Sequence, residues 1–423
     1  MMPSPSDTDP STVAPGPCFG RRRVGVLLAV MFCYLFYYTG RQTFGFAIPG
    51  IQAEFGLNKA QLGWCGAAML WSYAIGQAIT GQMADRWGGR GLMACGGMLS
   101  AVLNWVVSFG SGLLSIGIPW GLNGFAQSLG FASGSRILSN WWDHRHRGVI
   151  YGAYVFAAGC ASILAFVMAT WMVGFGWRWV FRWPVLFLFA VSGLFYFLVR
   201  DKPSDCGLAD LPEDDPSPPD GPAAQPIIET ALDRYRKVLR SGSFLLACAS
   251  IGCQNLARYG LYVWVPVHFL GSKLQDSPDK WISLWLPVGM AVGAMTNGWI
   301  SDHLLRGNRS RAALLFLIGA GLAAAAMWWL PKGHPLVVPM LFLTGFFVYG
   351  PESAYWALCP DLLGRRLAGT GTGVMNFCAK TVAGLGEPTV GALIERTGQT
   401  GMIFAVVSVA CFLGAGLMGL VRR

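Results

Sequence analysis

Five charged residues stand deep inside long apolar runs of this 423-residue chain: Arg41, Arg258, Lys380, Glu352 and Glu387. Holding an arginine or lysine at membrane depth costs roughly 2.5 kcal/mol or more, so each must snorkel, pair internally or face a wet cavity that holds an anion. Arg41 lies 17 residues into the run that starts at Val24, and Arg258 lies 15 residues into the run that starts at Ser243. At about 1.5 Å per residue, Arg41 is roughly 25 Å from the start of its run, too deep for easy snorkelling. Arg258 has a similar depth. Guanidinium is permanently charged, and its planar donors match phosphate or carboxylate oxygens. The chemistry these residues could do is therefore anion recognition, with the hydroxyls of Tyr38 and Tyr259, close in sequence to the arginines, and of Tyr349 as candidates to share it. Bond-making chemistry has no counterpart. The chain shows no nucleophile–base arrangement and no metal spacing, which predicts neither an enzyme nor a cofactor.

The elements that must position these charges are membrane helices. The chain is 54% hydrophobic and 12% charged, half the charge of a soluble domain, with 18 Trp and 26 Phe. Twelve apolar runs of spanning length are bounded by charge or turn residues, at about 24–50, 60–83, 91–110, 113–138, 149–174, 178–199, 243–271, 281–301, 311–330, 335–358, 369–394 and 400–421. The predicted fold is all-α: two pseudo-symmetric six-helix bundles at 21–200 and 241–423, a disordered N-terminal segment at 1–20 and a linker at 201–240. The linker contains Leu211-Pro-Glu-Asp-Asp-Pro-Ser-Pro-Pro-Asp220, which cannot form a packed core, and its flank at 233–240 predicts an amphipathic surface helix. Residues 1–20 carry Asp7 and Asp9 and do not resemble a signal peptide, so the run after Arg21-Arg22-Arg23 reads as a retained first span. The eleven cysteines lie mostly in apolar runs and read as small buried residues.

The net charge of +10 does not point to nucleic acid, because the basic residues sit in short loops between the runs. Of the 31 lysines and arginines, four lie within runs, 20 on the side of the two termini and seven on the opposite side. This bias predicts a multi-pass inner-membrane protein with both termini in the cytoplasm.

The halves echo each other. Gly81-Gln-Met-Ala-Asp-Arg-Trp-Gly-Gly-Arg90 follows the second run and Gly298-Trp-Ile-Ser-Asp-His-Leu-Leu-Arg-Gly-Asn-Arg309 follows the eighth. A 6+6 chain with this duplicated loop resembles the major facilitator superfamily, over about residues 20–421. That resemblance implies a substrate site near the midplane between the halves. Tyr37-Tyr38-Thr-Gly-Arg41-Gln-Thr-Phe-Gly-Phe-Ala-Ile-Pro49, Gly345-Phe-Phe-Val-Tyr-Gly-Pro351, Ala368-Gly-Thr-Gly-Thr-Gly373 and Trp141-Trp142 are further similar to motifs of the organophosphate:phosphate antiporters, which include glycerol-3-phosphate and hexose-phosphate carriers. The resemblance implies that Arg41 and Arg258 bind phosphate and that a monomer exchanges an organic phosphate for inorganic phosphate by a rocker-switch.

The chain departs from that family's pattern at three places. Gln77 stands where members often have a lysine, the stretch Tyr151–Cys160 lacks a histidine found in the glycerol-phosphate carriers, and Lys380 replaces an expected uncharged residue. Gln77 and Lys380 are carried forward as substrate-binding candidates. Gly350-Pro351 predicts a helix break before Glu352, which could pair with Lys380, gate the cavity or carry a proton. Glu387, before Pro388, reads as a gate or partner near the external end. Asp85, Arg86, Arg90 and Asp302 are expected to pair across the cytoplasmic seam, and Arg136, six residues before Trp142, to snorkel or pair with a loop.

Three functions compete: exchange of a phosphorylated solute for phosphate, proton-coupled uptake of a sugar acid through Glu352, and sensing without flux. The predicted orientation has a direct check. A protease added to inside-out vesicles should cut within residues 211–230, and the same protease added to right-side-out vesicles should leave the chain intact.

Overall fold

The computed structural model describes residues 17–142, 147–210, 231–270, 278–306, 308–363 and 367–421. Twelve membrane crossings are built from its α-helices. The first bundle contains α1 (Pro17–Tyr37) with α2 (Phe44–Phe55) as one broken crossing, then α3 (Lys59–Trp87), α4 (Gly89–Val107), α5 (Leu113–Trp141), α6 (Arg147–Met172) and α7 (Trp177–Leu198). A short α8 (Ala231–Arg240) follows, at the amphipathic flank expected from sequence; it buries Val238 and exposes Arg236 and Lys237. The second bundle contains α9 (Gly242–Leu270), α10 (Trp285–Trp299), α11 (Arg309–Trp329), α12 (Val337–Tyr349) with α13 (Pro351–Leu363) as another broken crossing, α14 (Ala368–Thr397) and α15 (Met402–Gly419). Residues 1–16 and 211–230, where disorder was expected, lie outside the described residues.

Among the described residues, seven segments are apolar and long enough to cross a membrane on their own account. The other five crossings are α3, α5, α9, α10 and α14. They carry the polar groups that the bundles turn inward, among them Gln127 and Ser128 on α5, Arg258 on α9, Asn297 on α10, and Lys380 and Glu387 on α14, all except Lys380, Arg258 and Glu387 with no exposed surface. A polar helix is tolerated in a bilayer when its neighbours take up its polar groups.

The bundles meet along three lines: α3 on α14, α6 on α10, and α2 on α9. Counted as crossings these are 2 with 11, 5 with 8, and 1 with 7. Advancing each number by six, cyclically, returns the same pairs, so the two halves are related by a two-fold operation. The interface is tightest towards the face opposite the chain termini. A side chain at Gly45 would collide with the Val263 backbone, and a Cβ at Gly63 would stand 2.6 Å from Pro388 Cα. One exposed ion pair, Lys59–Glu395 at 3.8 Å, closes the rim.

The first crossing corrects the continuous helix expected over 24–50. The helix ends at Tyr37, turns once as a 3-10 helix over Tyr38–Gly40 and restarts at Phe44. The cause lies on other helices. The Gly40 carbonyl is taken by Asn104 Nδ2 at 3.1 Å and by Asn123 Nδ2 at 2.7 Å. Ser100 donates to Asn123 Oδ1 at 2.6 Å and Gln127 donates to Ser100 at 2.7 Å, so the amides are held in place. Only glycine fits here, since a Cβ would lie 2.7 Å from both Gln127 Nε2 and Ser100 Oγ. The second break, at Gly350-Pro351, is local: Pro351 opens α13, where a missing N–H does no harm.

The first break depends on two amides on different helices, so removing both should be felt. The double variant Asn104→Ala, Asn123→Ala leaves the Gly40 carbonyl without these partners in a buried site, and should cost about 1–3 kcal/mol. Thermal unfolding of the purified protein should show a lowered midpoint for the double variant and a smaller drop for each single one.

Candidate anion-binding cavity

The break in the first crossing places Arg41 at the centre of the bundle interface. Its backbone N–H and that of Gln42 both donate to Tyr38 O, at 3.1 and 3.0 Å, which turns the Arg41 side chain away from α1. The guanidinium carbon lies 3.9 Å above the Tyr38 ring, with the Tyr73 and Tyr34 rings at 5.5 and 5.8 Å. One Nη donates to the Tyr34 hydroxyl at 3.4 Å, while Nε is buried without an acceptor. No carboxylate pairs with Arg41 among the described residues. A permanent charge is thus stabilised by the faces of aromatic rings and left free for a ligand.

Arg258 approaches from α9 and is 4% exposed. Its guanidinium lies 4.1 Å from the Tyr349 ring and 5.3 Å from that of Tyr259. Unlike Arg41 it has a counter-ion, since Nη1 meets Glu352 Oε1 at 3.3 Å. Glu352 sits in the first turn of α13, where the helix dipole favours a carboxylate. Lys380, on α14, donates to Asn255 Oδ1 at 2.9 Å and lies 4.5 Å from the Tyr259 ring. Asn255 is oriented in turn by Gln254 Oε1 at 2.7 Å, and Gln254 by Val348 O at 2.8 Å.

These groups line one cavity of about 90 Å³ between the bundles, with Arg41, Arg258, Lys380 and Glu352 as its charged residues. Three cations and one carboxylate give the wall a net charge of +2. Arg41 Nε, Arg258 Nε and Glu352 Oε2 are buried without protein partners, so the wall is incompletely satisfied by its own atoms.

Six residues proposed from sequence as substrate ligands therefore come together here: Arg41, Arg258, Lys380, Tyr38, Tyr259 and Tyr349. The seventh does not. Gln77 reaches α5 instead and donates to Ser128 O at 3.4 Å. Tyr73, one helical turn earlier on α3, holds the cavity-facing place. A Glu352–Lys380 pair, one of the roles open to Glu352, does not form. Glu352 is bound to Arg258, and Lys380 to a neutral amide. Asn376 and Trp356 line the cavity and were not anticipated. Asn376 stands four residues before Lys380, and Tyr73 four before Gln77, so helical spacing alone carried a signal for both.

The gating candidates separate. Glu387 is 2% exposed and lines a smaller chamber with Arg41, described below. Arg90, expected to pair across the seam, is held within its own bundle: Nε donates to Tyr196 O at 2.7 Å and the guanidinium stacks 4.2 Å from the Tyr196 ring. Its backbone N–H and that of Gly89 donate to Asp201, which caps the start of α4. Arg86 and Arg136 are exposed near helix ends. The side chains of Asp85 and Asp302 lie outside the described residues.

Comparison with known proteins places this architecture. The chain is 27% identical to the glycerol-3-phosphate transporter of Bacillus subtilis, over 95% of this chain and 93% of that one. It is 25% identical to a probable hexose phosphate transport protein of Chlamydia pneumoniae, over 92% of this chain and 89% of that one. Its fold matches the inward-facing, unoccupied structure of a bacterial homologue of the human lysosomal transporter Spinster, with a TM-score of 0.72 and 15% identity over 95% of each chain. The model of the Major Facilitator Superfamily matches residues 30–387, and with twelve helices in two related bundles around a central cavity, the chain belongs to that superfamily of membrane transporters.

Proposed function

We propose that this transporter carries a small phosphorylated organic anion, of the sugar-phosphate, glycerol-phosphate or phosphoglycerate class, in exchange for inorganic phosphate. The observation that carries the reading is the charge of the cavity wall. A phosphate monoester bears about −1.5 to −2 at pH 7, and the three cations less Glu352 come to +2. A monocarboxylate would leave one of those charges uncompensated in a buried site.

The two arginines then have different work. Arg41 meets the incoming anion as a free cation. Arg258 must exchange Glu352 for it, so the carboxylate occupies the site when no anion does. Inorganic phosphate has the same charge and donor requirements as the ester's phosphoryl group, and would fit the same cations on the return stroke. Tyr38, Tyr259, Tyr349 and Asn376 supply neutral groups around the remainder of the solute. The bilayer orientation that accompanies this reading is the one the basic loops predict, with both termini in the cytoplasm of a cell bounded by this membrane.

Proteoliposomes loaded with inorganic phosphate should take up a labelled phosphate ester without an imposed pH gradient, and phosphate-free vesicles should not. Failure to exchange any phosphate ester would overturn the reading. Loss of a charge-assisted bond costs about 2 kcal/mol, so Arg41→Ala and Arg258→Ala should each weaken ester binding by about 30-fold. Arg41→Lys should recover part of that loss, because it returns the charge without the planar donor pair. Binding can be measured by calorimetry on the purified protein.

A further inference from the structure

A second, much narrower chamber, of about 20 Å³, lies on the other side of Arg41, and its walls include Gln42, Gly66, Tyr259, Tyr262 and Glu387. Arg41 and Tyr259 belong to both spaces. Glu387 is the carboxylate of this chamber, and it is placed differently from Glu352. Glu352 touches Arg258 at 3.3 Å. Glu387 is 2% exposed, its Oε2 has no hydrogen-bond partner, and it has no ion pair among the described residues. Burying an isolated ionised carboxylate costs so much that the group holds a proton instead.

The position of Glu387 is as telling as its isolation. It lies seven residues beyond Lys380 on α14, about 10 Å further towards the face opposite the termini. Its carboxyl is pressed against Gly66 of α3, where even a methyl group would collide with it. The α3–α14 line is one of those that must part for that face to open. Parting it would hydrate Glu387 and remove the reason for its neutrality.

We propose that Glu387 is a proton-binding site that is loaded when the α3–α14 line is closed and emptied to water when it opens. The step is a simple proton transfer. The O–H bond of the carboxylic acid breaks towards water as the face opens, and re-forms from a hydronium or water proton as it closes. The transporter therefore moves between a protonated closed form and an ionised open form, and an acid bath on that face favours closure. The groups that face Glu387 support this assignment. From α3 come the backbone at Gly63 and Gly66, with the Cys65 thiol near enough to feel the carboxyl's charge; from the break in the first crossing, Arg41 and Gln42; from α9, the phenols of Tyr259 and Tyr262. On its own helix Lys380 is engaged with Asn255, and at the rim Lys59 is engaged with Glu395. The inference rests on alternating access and not on which anion is carried.

Infrared difference spectra of the purified full chain in lipid give a direct test. At neutral pH the native protein should show a protonated-carboxyl band that shifts in deuterated water, disappears in Glu387→Gln, moves in Glu387→Asp and persists in Glu352→Gln. Absence of a band assigned in this way, through either Glu387 variant, would overturn the proposal. A second measurement reads the coupling. In phosphate-loaded proteoliposomes, the ratio of ester uptake rates with and without an acid bath on the opening face should be several-fold higher for native protein than for Glu387→Gln. Equal ratios would also overturn it. A carboxyl band in a protein that exchanges no phosphate ester would support the proton site while removing the substrate reading.

Discussion

A guanidinium held inside a bilayer without a counter-ion is the constraint on which the rest of this structure turns. Arg41 could not sit in an unbroken helix and point along the interface between two bundles. The break at Tyr38–Thr43 gives it that direction, and the tyrosines around it supply the electron-rich faces that stand in for water. The break in turn exposes a carbonyl, at Gly40, that must be satisfied in a medium with no water to do so. Asn104 and Asn123 do this, and Ser100 and Gln127 hold them. One free charge thus accounts for a polar network that crosses three helices.

The halves share a fold but not an electrostatic plan. The first bundle offers Arg41, a cation with no carboxylate partner among the described residues. The second offers a cation already occupied by Glu352, and a lysine tied to an amide. The difference lies in α13, the helix that carries Glu352 and begins at a proline.

Much of this was legible in the sequence, because burying charge and backbone in lipid leaves few options. The number of crossings, the pairing of Arg41 with Arg258 across the halves and the break at Gly350-Pro351 all follow from residue type and spacing. What was not legible depends on atoms distant along the chain. The break in the first crossing is made by amides 64 and 83 residues away, which no local pattern reveals. The partner of Glu352 stayed open in the sequence, with Lys380 and the arginines as candidates; in the fold α13 meets both α9 and α14, and Arg258 of α9 takes the carboxylate. Gln77 was placed in the cavity by its position in a motif; the helix turns that position towards α5 and Tyr73 towards the ligand space.

The line between α3 and α14 has a consequence for how this protein can change over time. Its closure relies on glycine against backbone at positions 63 and 391 and on glycine against the Glu387 carboxyl at position 66, with the Lys59–Glu395 ion pair at the rim. In lipid, two helices gain no hydrophobic advantage by touching, so the contact is held by shape and by a few polar bonds, Trp71 Nε1 to Thr381 O at 3.3 Å and Lys59 to Glu395. Shape of this kind tolerates no added carbon, while the cavity wall beside it is built from side chains that can be exchanged one at a time. Positions 63, 66 and 391 are thus confined to one residue type, and room for change over time is left to the neighbouring tyrosines, asparagine and lysine of the cavity wall.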